Sequence, residues 1–180
     1  MKMRYLFILL FVFSLIFLSG DLHAQNKKKN YPQPAFVSKA TVYPIKLSDQ
    51  EWRKRLTKDQ YTILRQEGTE TAGTGKYAHS TEKGTYYSAA SMQPVFSSDA
   101  KFDSGTGWPS FYAPISKDAV LLVKDHSFNM ERIAVVDSKT GSHLGHLFHD
   151  GPAPTGERYC LNSLALVFVP EGGKPPVFKK

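Results

Sequence analysis

The chain has 180 residues and a formal net charge of +7, which fits one folded domain with short terminal segments. Much of the excess charge lies at the two ends, in residues 27–29 and in Lys174, Lys179 and Lys180, as in solvated tails, so the composition argues against a nucleic-acid partner. Only one cysteine is present, so no intramolecular disulfide can form.

The first 24 residues have the pattern of a secretory signal peptide. Lys2 and Arg4 supply positive charge, residues 5–18 are almost wholly apolar, and Ala24 is the predicted last residue before cleavage. A membrane anchor is the alternative, but spanning the hydrocarbon layer takes about 20 apolar residues. We expect an exported protein of the periplasm or cell envelope, with no stable membrane contact after cleavage.

The rest of the chain is predicted to divide into a linker, one domain and a tail. Residues 25–45 are rich in lysine, asparagine and proline, which indicates a linker rather than packed structure. Residues 46–170 carry the patterned apolar sequence of a single domain. Residues 171–180 include two glycines and two prolines and are predicted to form a flexible tail. We expect the mature protein to be a monomer.

Two short helices are predicted at the start of the domain. Ser48 and Glu51 have the spacing of a capping box, in which each side chain bonds the other residue's backbone at a helix start. Thr57 and Gln60 repeat the pattern. Apolar residues such as Trp52 follow each cap and would bury one face of each helix.

From residue 68 onward, short β-branched or aromatic runs alternate with turns rich in glycine, serine and proline. The predicted strands are residues 85–87, 94–97, 120–124, 132–137, 144–148 and 164–169. This spacing indicates a mainly β domain of antiparallel sheets, sandwich- or barrel-like, with short helices on its N-terminal side.

Three segments contain the residues that could carry chemistry. Residues 101–111, KFDSGTGWPSF, place Trp108 in a glycine-rich loop. Residues 143–152 read HLGHLFHDGP, and residues 156–163 read GERYCLNS. The thiolate of a cysteine is its nucleophilic form, so Cys160 would need nearby donors that lower its pKa. Imidazoles could supply both that field and a proton.

Strand geometry limits how these side chains could meet. His143 and His146 are three apart and would face opposite sides of a regular strand, but Gly145 between them permits a bulge that turns both inward. If Cys160 begins a strand, Asn162 faces the same side, two residues later.

The residue types alone leave other interpretations open. Cys160 could be a small buried core residue, and Trp108 could belong to the core. His143, His146 and His149 could form a metal site, since imidazole is the commonest protein ligand of metals.

Together the segments resemble the methionine sulfoxide reductase B family over residues 47–169. The matching stretches are residues 61–70, ending RQEGTE, then KFDSGTGWPSF, HLGHLFHDGP and RYCLNS, in this order. The resemblance implies a small antiparallel β domain with helices at the N-terminal side. It also implies reduction of the R epimer of methionine sulfoxide, chiefly in oxidised proteins.

The resemblance also assigns roles. The predicted catalytic residues are Cys160, His146, His143 and Asn162, and the predicted substrate-binding residues are Trp108 and Phe111. Cys160 would attack the sulfoxide sulfur, release methionine and become a sulfenic acid. The histidines and the asparagine would help to protonate the sulfoxide oxygen, and Trp108 would pack on the methyl group.

The sequence departs from the family pattern in two places. Many members bind zinc through two CxxC pairs, but residues 88–91 are SAAS and residues 137–140 are DSKT, which cannot replace four thiolates. A common resolving cysteine is replaced by Thr106. The resemblance therefore implies an enzyme without metal or cofactor, whose sulfenic acid is reduced by an external thiol such as a thioredoxin-like protein or a small thiol.

Two alternatives to this activity remain from the sequence. One is a β domain that binds a metal through the three histidines of the second segment. The other is a binding module that keeps the fold but has lost turnover.

Overall fold

A computed structural model describes residues 30–178, so the predicted signal peptide lies outside the described residues. Within them the helices are α1 (Asp49–Arg55) and α2 (Lys58–Gln66), and the strands are β1 (Phe36–Val37), β2 (Gly84–Ser88), β3 (Pro94–Ser97), β4 (Lys101–Phe102), β5 (Ser110–Phe111), β6 (Val120–Asp125), β7 (Arg132–Asp137), β8 (His143–Phe148), β9 (Arg158–Leu161) and β10 (Leu166–Pro170). The predicted class, a mainly β domain with short N-terminal helices, is confirmed.

The strands form two sheets. The larger has the order β1-β6-β7-β8-β9-β5-β4, and the smaller has the order β10-β2-β3. Every pairing is antiparallel except that of β1 with β6, which is parallel. The main core cluster takes residues from both sheets and from the helices, including Trp52, Leu64, Phe96, Phe111 and Leu144.

Both predicted capping boxes are confirmed. The Ser48 side chain accepts a hydrogen bond from the Glu51 backbone, while the Glu51 carboxylate accepts one from the Ser48 backbone. Thr57 and Gln60 make the same reciprocal pair at the start of α2. Trp52 on α1 is buried, as the spacing predicted.

The terminal segments are more closely attached to the domain than predicted. Within the expected linker, Phe36–Val37 pair with β6, and the Ile45 backbone donates to Lys139 O. In the expected tail, the Glu171 backbone donates to Lys83 O. Backbone pairing of this kind depends on the partner segment, which local composition does not reveal. Across residues 30–178, no helix has the length and apolar character to cross a membrane.

Candidate active site

The strand register brings Cys160 and His146 together. His146 pairs directly with Cys160 in the β8–β9 ladder, and Ser110 pairs with Cys160 in the β5–β9 ladder. Residues directly opposite in an antiparallel pair point to the same face, with Cβ atoms about 4.5–5.5 Å apart. The thiol therefore lies between an imidazole and a hydroxyl on one face of the larger sheet.

A second row of side chains runs beside the first on the same face. Arg158 lies two residues before Cys160 and pairs with Phe148, while Arg132 pairs with Asp125. Because side chains repeat their direction every two residues along a strand, this row neighbours the cysteine and the histidine. The site thus combines two cations and a carboxylate with the thiol and imidazole.

A bulge in β8 joins the two histidines, as the sequence predicted. Two successive residues of β7 pair with His143 and Gly145, which leaves Leu144 as the extra residue. The imidazole rings of His143 and His146 then contact edge to face, with centroids 5.0 Å apart. Gly145 is required there, since an added Cβ would lie 2.1 Å from the backbone oxygen of Cys160.

A cavity of about 160 Å³ opens at this face. Four of the predicted site residues line it, namely Trp108, His146, Cys160 and Asn162. Thr69, Arg132 and Phe148 contribute to the same wall. The pocket thus offers a nucleophile, an imidazole and two aromatic surfaces in one space.

Trp108 is a pocket residue rather than a core residue. Its side chain is partly exposed, and its indole N–H donates to the backbone oxygen of Glu70 at 3.1 Å. Pro109, next in the chain, is fully buried and anchors the loop. The ring is therefore held at one edge while it lines the cavity.

Phe111 does not reach the pocket, contrary to its assignment to substrate binding. It is fully buried, and its ring centroid lies 4.7 Å from that of Phe96 and 5.0 Å from that of Tyr86. The reason is the two-residue period of β5, because Ser110 faces Cys160 and its neighbour must face the core.

The three histidines of residues 143–149 do not share one environment. His143 is buried behind His146 and does not line the cavity, and burial lowers its pKa to about 4, so its ring is neutral. His149 is exposed and its Nδ1 lies 2.8 Å from a carboxylate oxygen of Glu157. The three rings therefore do not converge. Among the described residues no group of three histidine, cysteine or acidic side chains is placed to hold a metal ion.

The environment of Cys160 raises the pKa of its thiol. Burial is the main cause, and it outweighs the opposite effects of the Thr106 hydroxyl, the Arg158 guanidinium and the Ser110 hydroxyl. Thr106 Oγ1 lies 3.9 Å from the sulfur, and Asp150 holds Arg158 through two contacts of 2.8 Å. The sequence predicted that histidines or other donors near Cys160 would lower this pKa. The donors that lower it in the structure are two hydroxyls and a guanidinium.

Asn162 holds the site together from the end of β9. Its side-chain oxygen accepts from the Glu70 backbone at 2.9 Å, and its amide donates to Leu144 O at 3.1 Å. The Glu70 carboxylate in turn accepts from the backbone of Ser163 and Leu164. Glu70 ends the matching stretch RQEGTE, but its role was not predicted, because it binds residues more than 90 positions away.

Asp125 and Arg132 are site residues that the sequence did not predict. His146 Nε2 lies 2.8 Å from Asp125 Oδ2, and Arg132 Nη2 lies 2.8 Å from the same oxygen. Burial alone would raise the pKa of Asp125, but bonds from Ser127 and His146 and the charge of Arg132 hold it well below its ordinary value. Burial lowers the pKa of His146, and its bond to Asp125 opposes that shift.

The two segments aligned with zinc ligands in the family also meet in space. Ser91 Oγ donates to Asp137 Oδ2 at 2.5 Å, and Asp137 Oδ1 accepts from the backbone of Lys139 and Thr140. Asp137 is fully buried. The Asp137 carboxylate thus accepts hydrogen bonds from the backbone two and three residues later and from the Ser91 hydroxyl, and these bonds connect the two segments.

Comparison with known proteins gives the same family as the motifs. A family model described as the SelR domain matches residues 56–170. The chain is 57% identical over 127 residues to the peptide methionine sulfoxide reductase MsrB of Methanosarcina barkeri, covering 71% of this chain and 89% of that protein. It is 53% identical over 129 residues to the protein of the same name from Leptospira interrogans, covering 72% and 98%. The chain belongs to the methionine sulfoxide reductase B family. A mouse mitochondrial relative named methionine-R-sulfoxide reductase B3 is 47% identical over 126 residues, covering 70% of this chain and 50% of that protein.

As a methionine sulfoxide reductase B, the protein is an oxidoreductase that reduces methionine R-sulfoxide to methionine. The family acts on proteins that contain methionine sulfoxide, uses a thiol reductant and works through a cysteine sulfenic acid. This chemistry accounts for a cavity that combines a thiol with an imidazole and aromatic walls.

Proposed function

We propose that Cys160 is the nucleophile and His146 the proton carrier of this reductase, and that an external thiol completes the cycle. The observation that carries the proposal is the direct pairing of Cys160 with His146 across β8 and β9, on the wall of the cavity that Trp108 lines. Asn162 would hold the bulge and the adjoining loop in register through its two backbone bonds.

In the proposed reaction, Cys160 Sγ attacks the sulfur of the sulfoxide and the oxygen passes from substrate to enzyme. The substrate sulfur gains two electrons and leaves as methionine, while Cys160 is oxidised to a sulfenic acid. No proton is consumed overall, because the proton that leaves the thiol reappears on the sulfenic oxygen. His146 faces the thiol from the next strand and would carry that proton.

The surrounding residues would have supporting roles. Trp108 would pack on the methyl group of the substrate, as its place in the pocket wall allows. His143, neutral and packed edge to face on His146, would hold that ring in place rather than touch substrate.

An external thiol is required because the chain has one cysteine. Thr106 lies beside the sulfur at the position of a resolving cysteine and cannot form a disulfide. Two thiols would reduce the sulfenic acid to the free thiol, with one disulfide and one water as products. A thioredoxin-like protein or a small thiol would serve, without a metal or cofactor. We keep export and a monomeric state as part of the proposal, the former supported by the pattern of residues 1–24.

Turnover of a peptide containing methionine R-sulfoxide, with dithiothreitol as reductant, tests this assignment. Cys160→Ser should be inactive, and His146→Gln should lose roughly 10²–10⁴-fold in the step that consumes the sulfoxide. His149→Gln is the matched control, since His149 is exposed and bound to Glu157, and it should keep wild-type turnover. Normal turnover by Cys160→Ser would contradict the assignment, and a loss in His149→Gln as large as that in His146→Gln would show that the effect does not depend on the pairing of His146 with Cys160.

A further inference from the structure

We propose that Asp125 is a positioning residue for His146, which fixes the ring's tautomer and stabilises its protonated form. The inference rests on the proposed role of His146 as proton carrier. Asp125 does not line the cavity, so it would act on the reaction only through the histidine.

The contact is buried and short. His146 Nε2 and Asp125 Oδ2 are 2.8 Å apart, and the two side chains are only 11% and 7% exposed. Ion pairs between exposed side chains contribute little, whereas a hydrogen-bonded pair withdrawn from water interacts more strongly and holds a single geometry. The chain contains a contrasting pair of the same length, His149 with Glu157, in which the histidine side chain is 68% exposed.

The carboxylate decides which ring nitrogen carries the proton. The pKa of Asp125 lies well below its ordinary value, so the group is ionised and can only accept hydrogen bonds. His146 Nε2 must therefore donate, which leaves Nδ1 as the nitrogen that gains and loses a proton. A neutral partner at position 125 would not impose this tautomer.

The charges around His146 oppose one another. Burial lowers the pKa of His146 most, Asp125 from β6 and Glu67 after α2 raise it, and Arg132 from β7 lowers it. His143 lies against the ring from the same strand, and Cys160 faces it from β9. Because Arg132 also binds Asp125, the carboxylate balances a guanidinium and an imidazole at once. Removal of either charged partner should move the pKa of His146, in opposite directions.

The first test is on the unmodified protein. Nitrogen-15 NMR of the imidazole rings in the neutral state should show His146 protonated on Nε2. A ring protonated on Nδ1 would overturn the inference, whatever the behaviour of any variant.

The second test uses two opposed substitutions. Asp125→Asn should lower the pKa of His146 and shift the pH midpoint of sulfoxide consumption downward. kcat should fall roughly tenfold to hundredfold with little change in KM, the range found when a metal-ligating histidine loses its outer hydrogen-bond partner. Arg132→Met should raise the same midpoint, and the nitrogen-15 spectrum of the unmodified protein still decides the matter if Asp125→Asn fails to fold. Glu157→Gln, the matched control at the exposed pair, should leave turnover and midpoint unchanged.

The outcomes separate this inference from the assignment that it depends on. If His146→Gln turns over like wild type, His146 is not the proton carrier and the proposed function fails. If His146→Gln is slow but Asp125→Asn has wild-type turnover and an unchanged midpoint, only the positioning role of Asp125 is refuted. A loss of activity in Asp125→Asn without a shifted midpoint would likewise refute it, since that result indicates a purely structural role.

Discussion

Replacement of Trp108 by alanine should mainly reduce activity, whereas replacement of Phe111 by alanine should mainly reduce stability, although the two residues lie in the same segment. Trp108 is partly exposed, lines the cavity and makes one hydrogen bond to Glu70 O, whereas Phe111 is fully buried between Phe96 and Tyr86. Trp108→Ala should therefore cost about 1–3 kcal/mol in substrate and transition-state binding, the scale of one apolar contact. That cost corresponds to a roughly 5- to 150-fold loss in kcat/KM.

The free energy of unfolding should fall more for Phe111→Ala than for Trp108→Ala. Phe111→Ala leaves a cavity in the core and should cost about 3–5 kcal/mol of unfolding free energy. Trp108→Ala should cost less, because the ring is only partly buried and its one hydrogen bond contributes about 1 kcal/mol. Trp108→Phe is the conservative control and should recover part of the activity.

Two measurements on the same preparations check this contrast. Peptide sulfoxide reduction with dithiothreitol gives kcat/KM, and urea unfolding gives the free energy of unfolding. The reasoning is refuted if Trp108→Ala destabilises the fold as much as Phe111→Ala while its kcat/KM stays near wild type.

Three further predictions concern the thiol of Cys160, the buried Asp137 carboxylate and the N-terminal segment. Alkylation of Cys160 by iodoacetamide should have a pH midpoint above the ordinary thiol pKa of about 8.5, because burial raises the pKa of this thiol. Arg158→Met should move the midpoint higher, since the guanidinium lowers the thiol pKa. A midpoint below that of an unfolded peptide would contradict this. The purified protein should contain no stoichiometric zinc. Asp137→Ala should lower its free energy of unfolding by about 1–3 kcal/mol, because Ser91 and two backbone donors lose their acceptor. One zinc per chain, lost on that substitution, would refute the zinc-free prediction. N-terminal sequencing of the mature protein should begin after Ala24, and an intact Met1 in the soluble cell-envelope fraction would refute cleavage.

The helices and the longer strands could be predicted because their signals are local. A capping box lies within four residues, and β6 and β7 consist mostly of apolar or β-branched residues between turns. Strands β5 and β9 have only two and four residues. They are strands because they pair with distant segments, and no local sequence pattern predicts that pairing. The assignment of Phe111 was wrong for the same reason, since the register of β5 decides which of two neighbours faces the thiol.

The site residues that belong to a family motif could be predicted from the sequence. The charged residues that reach the site from distant strands could not. Cys160, His146 and Asn162 came from the family resemblance, because the residue types alone left core and metal-site interpretations open. Asp125 and Arg132 stand at facing ends of two strands, where charges are usually exposed. Strand pairing places Asp125 beside both Arg132 and His146, and burial strengthens these two ion pairs.

Single turnover without added thiol tests the central claim most directly. One chain with one thiol can accept one oxygen, so excess peptide sulfoxide should release about one methionine per chain and then stop. The stalled protein should carry a sulfenic acid at Cys160, detectable with a sulfenic-acid probe, and dithiothreitol should restart it. Continued turnover without thiol, or methionine release with Cys160 unmodified, would contradict the account.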